Sequence, residues 1–201
     1  MKKWVVTAKR ADFQEIAGHF HIDPVTARLL RNRDLVSLEE MERYLYGGLD
    51  QLHDGRSMKG MAQALELLEK EIKERCFIRV IGDYDGDGIM SSYILQDCLG
   101  RLGGRVDVQI PDRINDGYGI NEALVREAQR DGVNTILTCD NGIAATAQVA
   151  LAKELGMTVI VTDHHETPYE EREEGRLQIL PPADAVVNPH QEGCSYPFKG
   201  L

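Results

Sequence analysis

The feature that most constrains the fold is a regular alternation of apolar runs with segments of helical periodicity, from Cys76 onward. The apolar runs lie at 77–81, 106–110, 135–139 and 157–161. The helical segments between them lie at 89–102, 120–130 and 143–155. Gly103, Gly132 and Gly156 follow the three helical segments, as expected for glycine accepting a positive φ after a helix end. The alternation predicts an α/β fold with a parallel, Rossmann-like sheet flanked by helices.

Two stretches of the chain fall outside this alternation. Residues 1–56 combine short helical patterns with turns, so we expect a small helical N-terminal segment before a domain of residues 57–201. No constellation of catalytic residue types occurs in that first segment. Residues 166–176 are rich in charge and carry no clear period, so we expect a solvated helix or loop there.

Composition indicates an ordinary globular protein, because 42% of the 201 residues are hydrophobic and 28% are charged. No apolar run approaches the roughly 18 residues of a membrane span. The opening residues turn polar too soon for a signal peptide, so we expect a cytoplasmic location. The net charge of −10 gives no basic footprint for nucleic acid. It does not exclude such a partner either, since cations bound at an acidic site would reverse the local sign.

The cysteines give no sign of a zinc or disulfide framework. Cys76, Cys98, Cys139 and Cys194 are widely spaced and form no C-x-x-C pair. We therefore expect reduced thiols, most of them buried.

An acidic stretch follows the first apolar run of the alternation. Asp83, Asp85 and Asp87 alternate there with small or turn-forming residues. Three neighbouring carboxylates without a counter-charge strain a fold, and a bound divalent ion removes that cost. Such hard oxygen ligands suit Mg²⁺, Mn²⁺ or Ca²⁺. The spacing also fits the first half of a calcium-binding loop, but Ile94 stands where that loop needs a bidentate glutamate.

Two other apolar runs also end in polar residues. Asp140 follows the run at 135–139, and Asp163, His164 and His165 follow the last run. Because the carboxyl ends of parallel strands meet at one edge, we expect these residues to share a site with the acidic stretch. Taken alone, Asp140 could be only a helix N-cap, and the two histidines could be ordinary turn residues.

The predicted cluster has the chemistry of a metal centre. Several carboxylates with one or two imidazoles suit Mn²⁺ or Mg²⁺ better than structural zinc. A carboxylate that bridges two ions would give the arrangement used for phosphoryl transfer to water. Asp140 is the candidate bridge, because its strand is expected between the strands that lead to Asp83 and Asp163.

These residues match a known family block by block. The chain resembles the DHH phosphoesterases, a family named for the triplet seen here as Asp163-His164-His165, and most of all its exonuclease branch. The matching blocks lie at 82–88, 110–113 with 117–119, 139–142, 162–165 and 188–198. The resemblance covers essentially the whole chain.

The resemblance implies a hydrolase of phosphodiester bonds, a 5′-to-3′ exonuclease specific for single-stranded DNA. It implies two Mn²⁺ or Mg²⁺ ions as cofactors and a role in DNA repair and recombination, with other repair proteins as candidate partners. The residues that it implies are metal ligands Asp83, Asp85, Asp87, Asp140 and His164, catalytic residues His165 and Asp163, and substrate-binding residues Arg113, Gly117, Tyr118 and Gly119. In such a site Asp163 would orient the adjacent histidine.

The family also has features for which this sequence shows no counterpart. Its members carry a further metal-binding aspartate, a second domain and, in the exonuclease branch, an oligonucleotide-binding fold, all beyond the position of Leu201. We therefore expect the DHH domain to be truncated at its C-terminal end. Two alternatives stay open: a pyrophosphatase or nucleotide phosphodiesterase of the same family, and a metal-binding module without catalytic activity.

Overall fold

The computed structural model describes Lys3, residues 9–172 and residues 175–199. The chain divides into two compact units, Met1–Leu52 and His53–Leu201, which we call the helical unit and the sheet unit. That a boundary after residue 56 separates two domains stays a prediction.

Three short helices, α1 to α3, build the helical unit. They are α1 (Phe13–Phe20), α2 (Pro24–Asn32) and α3 (Leu38–Tyr46), followed by a 3-10 turn at Leu49–Gln51. Each helix starts at a side chain that accepts backbone N–H groups, namely those of Asp12, Asp23 and Ser37. The buried apolar residues of the unit are Ile16, Ala17, Phe20, Ala27, Leu30 and Met41. This core is small and separate from the core of the sheet unit.

The sheet unit begins with a 3-10 turn at Gly55–Ser57 and the amphipathic helix α4 (Met61–Lys73). Strands and helices then alternate as β1 (Phe77–Ile81), α5 (Gly86–Arg101), β2 (Arg105–Gln109), α6 (Glu122–Arg130), β3 (Thr135–Cys139), α7 (Thr146–Glu154) and β4 (Thr158–Thr162). The remaining strands are β5 (Tyr169–Arg172), β6 (Gly175–Gln178) and β7 (Ala185–Val187). The predicted α/β alternation is confirmed, and the strand bounds agree with the predicted runs to within one residue.

Five strands form one parallel sheet in the order β2-β1-β3-β4-β7. Helices α6 and α7 cover one face, where Ile81, Ile136 and Val159 are buried. Helices α4 and α5 cover the other face, where Val80 and Leu137 are buried. Because both faces are covered, the central strands β3 and β4 read as nearly continuous apolar runs, whereas the edge strand β2 alternates polar and apolar residues. This architecture places the carboxyl ends of β1, β3 and β4 side by side.

Two expectations about local structure are wrong. The charged segment at 166–176 is not a helix or a simple loop, because β5 and β6 pair there as an antiparallel hairpin. The cysteines are free thiols, but only Cys139 is buried, while Cys98 is exposed and the other two are half-buried. Across the part of the chain that the structure describes, no helix is both long and apolar enough to cross a membrane.

Candidate metal centre

Two groups of potential metal ligands meet at the carboxyl edge of the sheet. Among the described residues, one donor atom each from Asp83, Asp85 and Asp140 lies within 4.8 Å of the others. A second group with the same spacing joins Asp140 to His164 and His165. Asp140 belongs to both groups, because β3 lies between β1 and β4 in the sheet. The structure thus brings together residues from all three strand ends named by the sequence.

Two buried carboxylates of this centre, those of Asp83 and Asp140, have oxygens without a hydrogen-bond partner among the described residues. Asp83 is fully buried, and neither of its carboxylate oxygens has a hydrogen-bond partner among the described residues. One oxygen of Asp140, Oδ2, is buried without a partner as well. A buried charge without compensation is costly, and bound cations are a common remedy. The donor set, rich in carboxylate oxygen with some imidazole, fits Mn²⁺ or Mg²⁺.

Asp85 and Asp87 have different places at the start of α5. Asp85 is the N-cap, and its Oδ1 accepts the backbone N–H groups of Asp87 and Gly88 at 3.0 and 3.1 Å. The hydrogen bond from Gly88 is the largest of the influences that lower the pKa of Asp85. Asp87 lies in the first helical turn, is exposed, and belongs to neither of the two ligand groups found among the described residues. Its predicted role as a ligand stays a prediction.

Asp140 adopts an unusual backbone conformation in the turn after β3. Its φ of 62° lies in the left-handed region, which aspartate tolerates better than most residues. It is not a helix N-cap, since α7 is preceded by Ala145 at that position. Its Oδ1 lies 2.7 Å from His164 Nε2. The pKa of Asp140 is raised, chiefly by burial, although the hydrogen bond with His164 opposes the rise.

The carboxylate of Asp163 is occupied entirely within the protein. Its Oδ1 accepts the backbone N–H groups of His164 and His165, and its Oδ2 accepts that of Ile143. Oδ1 also lies 2.7 Å from His165 Nδ1. Because an ionised carboxylate can only accept, Nδ1 of His165 carries a hydrogen. Asp163 therefore orients the histidine rather than facing the ligand groups.

The imidazole of His165 faces the hydroxyl group of Tyr118. The Tyr118 oxygen lies 3.2 Å from His165 Nε2 and 2.9 Å from the carbonyl oxygen of Asp140. Burial is the largest influence on the pKa of His165 and lowers it, but the hydrogen bond and charge of Asp163 outweigh it, so the pKa is raised. Burial, followed by the charge of Asp140, raises the pKa of Tyr118. The Tyr118 hydroxyl group thus links the backbone of Asp140 to the imidazole of His165.

A row of aromatic and cationic side chains extends outward from His165. The Tyr118 ring meets the rings of His165 and Tyr84 edge-on, with centroids 5.9 and 6.2 Å apart. The Arg113 guanidinium carbon lies 5.4 Å from the centroid of the Tyr84 ring. Gly117 and Gly119 flank Tyr118 with φ values of 80° and 67°, so the loop needs glycine at both positions. The predicted substrate-binding residues therefore lie along one rim of the centre.

Two cavities adjoin the centre, one over each face of the sheet. A cavity of about 360 Å³ is lined by His165, Tyr118 and the turn that precedes α7. A groove of about 660 Å³ lies over the other face and reaches Asp140 and His164. Apolar side chains of α4 and α5 form part of its wall, among them Met61, Leu65, Met90 and Ile94. The centre is therefore accessible from both sides.

Comparison with known proteins assigns the family. The protein-family model described as "DHH family, N-terminal domain" matches residues 77–197, which is more than half of the chain. The chain belongs to the DHH family. The match covers every strand of the parallel sheet and all the ligand candidates.

Relatives of this DHH chain include two curated proteins named single-stranded-DNA-specific exonuclease RecJ. The protein of Bacillus subtilis (strain 168) is 37% identical over 99% of this chain and 24% of its own length. The protein of Escherichia coli (strain K12) is 35% identical over 99% of this chain and 33% of its own length. The chain thus spans about a quarter to a third of these relatives.

Solved structures of similar proteins include two described as holding manganese. A structure of exonuclease RecJ bound to manganese superposes with a TM-score of 0.63 and 35% identity, over 74% of this chain and 35% of that one. RecJ from Thermus thermophilus in complex with Mn²⁺ gives a TM-score of 0.62 and 29% identity, over 94% of this chain and 25% of that one. Both relatives therefore share the fold of this DHH chain.

Three further residues of the DHH domain stand at the centre without having been predicted there. Tyr84 packs between Arg113 and Tyr118. Asn141 and Asn188 are buried, and Asn188 Nδ2 donates to the carbonyl oxygen of His165 at 2.9 Å. The only sequence signal for the two asparagines is their position at a strand end, and asparagine in such turns is common.

Proposed function

We propose that this chain is the DHH part of a metal-dependent exonuclease that hydrolyses single-stranded DNA from the 5′ end, in DNA repair and recombination. The observation that carries the proposal is the buried pair Asp83 and Asp140, which lie together at the strand ends and have three carboxylate oxygens without a hydrogen-bond partner in the described part of the chain. The similarity to proteins named RecJ supports the choice of substrate.

The residues that would hold two Mn²⁺ or Mg²⁺ ions are Asp83, Asp85, Asp140 and His164. Asp140 would be shared between the ions, because it belongs to both ligand groups. When bound, the ions would polarise a phosphoryl oxygen and lower the pKa of the attacking water. The sequence also suggests Asp87 as a ligand. Asp87 lines the apolar groove and would bind an ion from that side.

His165 would stabilise charge at the scissile phosphate, and Asp163 would orient the His165 ring. Asp163 fixes the ring through the 2.7 Å contact with Nδ1, so Nε2 points away from the carboxylate toward Tyr118. Because Nδ1 carries a hydrogen, Nε2 can donate a hydrogen bond to a phosphate oxygen or to the leaving group only when the ring is protonated to the imidazolium, the form that the raised pKa of His165 favours. Holding the ring in one orientation removes the cost of ordering it when the substrate arrives.

Arg113, Tyr118 and the loop between Gly117 and Gly119 would hold the nucleotide. A guanidinium group can bind phosphate through two parallel hydrogen bonds. Aromatic rings can stack on bases without regard to sequence, which suits an exonuclease. Arg113 and Tyr118 lie on the same rim as His165. We propose that the single-stranded DNA substrate runs along this rim.

The test combines ion binding with release of nucleotides. Calorimetric titration of the 201-residue chain with Mn²⁺ should show binding, and Asp140→Ala should abolish it. The same proteins are then assayed for release of mononucleotides from 5′-labelled single strands, with pyrophosphate as a competing substrate. Asp97→Ala is the matched control, because Asp97 is a carboxylate on α5 that pairs with Arg101 at the surface and belongs to neither ligand group found among the described residues. Equal Mn²⁺ binding by the wild type and Asp140→Ala would refute the assigned centre.

A second candidate function is metal binding without turnover. Ion binding without nucleotide release from any tested strand would support it. Release that depends on Asp140 would exclude it.

A further inference from the structure

Asn141 is a buried polar residue that the proposed chemistry does not use. It is 1% exposed, and it follows Asp140 directly in the turn after β3. Its amide group is fully engaged with the backbone of three separate segments. Nδ2 donates to the carbonyl oxygens of Ile81 at 3.0 Å and Cys139 at 2.9 Å, and Oδ1 accepts from Ile120 N at 3.1 Å.

Each of these backbone partners lies close to a residue of the metal centre. Ile81 ends β1 two residues before Asp83, and Cys139 immediately precedes Asp140. Ile120 follows Tyr118 by two residues, in the loop that forms the rim. One side chain therefore ties the two strand ends that carry the buried carboxylates to the loop that carries Tyr118.

The rim loop also packs directly on Asn141. A Cβ atom at Gly119 would lie 3.1 Å from Asn141 Cβ, so the loop backbone lies closer to Asn141 than a residue with a side chain would ordinarily lie. This contact and the hydrogen bond from Ile120 N leave the loop little freedom to move independently of Asn141. A shift of the Asn141 side chain would be transmitted both to the strand ends that carry the buried carboxylates and to the loop that carries Tyr118.

We propose that Asn141 is a positioning residue that sets the spacing of Asp83 and Asp140 and couples ion binding to the placement of the Tyr118 loop. The inference rests on the proposed function only in that these carboxylates bind divalent ions. Asparagine fits the position because it supplies two donors and one acceptor on a short, planar group. Aspartate has nearly the same shape but would face two carbonyl oxygens with a carboxylate, and serine would supply only one donor.

The test compares Mn²⁺ affinity and stability in Asn141→Asp, Asn141→Ser and a control. Residues that orient metal ligands from outside the coordination sphere typically change affinity about 10- to 100-fold when replaced. We expect a loss of that size in calorimetric titrations of both Asn141 variants. The control is Asn134→Ala, at the opposite edge of the same sheet, where Oδ1 accepts from Phe77 N at 2.8 Å. The control should lower the melting temperature and leave the Mn²⁺ affinity unchanged.

A measurement on the wild type covers the case in which the Asn141 variants do not fold. Coupling predicts that Mn²⁺ slows hydrogen exchange at the amide of Ile120, relative to the same protein with a chelator. Unchanged exchange at Ile120 would refute the coupling, as would Mn²⁺ affinities of the folded variants equal to that of the wild type. Absence of Mn²⁺ binding by the wild type would overturn the metal centre itself and this inference with it.

Discussion

At the scale of single residues, the metal centre trades stability for function. Asp83 is a fully buried carboxylate whose oxygens lack hydrogen-bond partners among the described residues, and Asp85 and Asp140 stand close to it. Without a cation, the buried carboxylates of Asp83 and Asp140 would repel one another where water screens them poorly, and the exposed carboxylate of Asp85 would add to this repulsion. The proposed cation would offset this cost. Removal of one of these charges should therefore have opposite effects on the free energy of unfolding with and without the ion.

We expect Asp83→Asn to stabilise the protein without metal and to remove the stabilisation that Mn²⁺ provides. Loss of the unpaired buried charge should raise the free energy of unfolding by about 1 kcal/mol, since a buried amide costs less than a buried ion. In the wild type, Mn²⁺ at about 100 times its dissociation constant should add about 2.7 kcal/mol. Melting temperatures measured with chelator and with Mn²⁺ give both quantities. Asp97→Asn should show the wild-type response, and a wild-type Mn²⁺ shift in Asp83→Asn would contradict the assignment.

Individual residues also show how far the sequence predicts the site. Asp83, Asp140 and Asp163 could be placed together because parallel strands share a direction, whatever their separation in the chain. The position of Asp87 could not be predicted, because it depends on α5 starting at Gly86, which leaves Asp87 exposed in the first helical turn and outside both ligand groups found among the described residues. The role of Asn141 could not be predicted from its position at a strand end, since its hydrogen bonds join residues that only the folded sheet brings together.

At the scale of elements, the centre depends on how closely the start of α5 approaches the end of β1. A Cβ atom at Gly88 would lie 2.4 to 2.7 Å from the backbone oxygen, nitrogen and carbonyl carbon of Asp83. Backbone atoms cannot move aside as a flexible side chain can. A residue larger than glycine at this position must push the helix away from Asp83.

We expect Gly88→Ala to destabilise the protein by about 3 kcal/mol and to weaken Mn²⁺ binding, because the displaced helix carries Asp85 away from Asp83. Gly86→Ala is the matched control on the same helical turn, since a Cβ atom there meets nothing within 4 Å. That control should keep the stability of the wild type or raise it by up to about 1 kcal/mol. Thermal unfolding and Mn²⁺ titration of both variants check the prediction. Equal behaviour of the two variants would contradict it.

The sheet also contains an ion-pair network away from the centre. The Arg79 side chain on β1 is 8% exposed and lies 2.6 Å from Asp107 Oδ2 on β2 and 2.9 Å from Asp131 Oδ2 after α6. We expect Arg79→Ala to cost about 2 kcal/mol, below the usual ~3 to 5 for a buried pair because the carboxylates are partly exposed. Arg101→Ala, at an exposed pair with Asp97, should cost less than about 0.5 kcal/mol. Urea unfolding gives both values, and similar costs would argue against a special role for Arg79.

The hairpin of β5 and β6 shows why one element was missed. All four residues of β5 and three of the four in β6 are exposed. Strand prediction relies on an apolar face that alternates with a polar one, and this hairpin has no such face. Its charged pairs, Arg172 with Glu170 and Arg176 with Glu171, lie along exposed strands rather than along a helix. The strands of the central sheet were predictable because each contains the apolar residues that become buried in the fold.

At the scale of the whole molecule, charge is the main obstacle to the proposed substrate. The chain carries a net charge of −10, and single-stranded DNA is a polyanion. Repulsion would keep the strand away from an acidic edge unless cations reverse the local sign. The cationic group on the rim, Arg113, stands at its outer end, next to Tyr84. Binding of the strand should therefore depend on the same ions that occupy the centre.

We expect the chain to bind a fluorescein-labelled single strand at least about tenfold more tightly with Mn²⁺ than with a chelator, which corresponds to about 1.4 kcal/mol. Fluorescence anisotropy at constant ionic strength measures both affinities, and a strand with phosphorothioate linkages limits cleavage during the titration. General screening by Mn²⁺ would act equally on Asp140→Ala, so that variant should keep the weak affinity whether or not Mn²⁺ is present. Equal gains from Mn²⁺ in both proteins would assign the effect to screening. Tight binding with a chelator would place the strand on another surface, because the acidic centre cannot attract phosphates on its own.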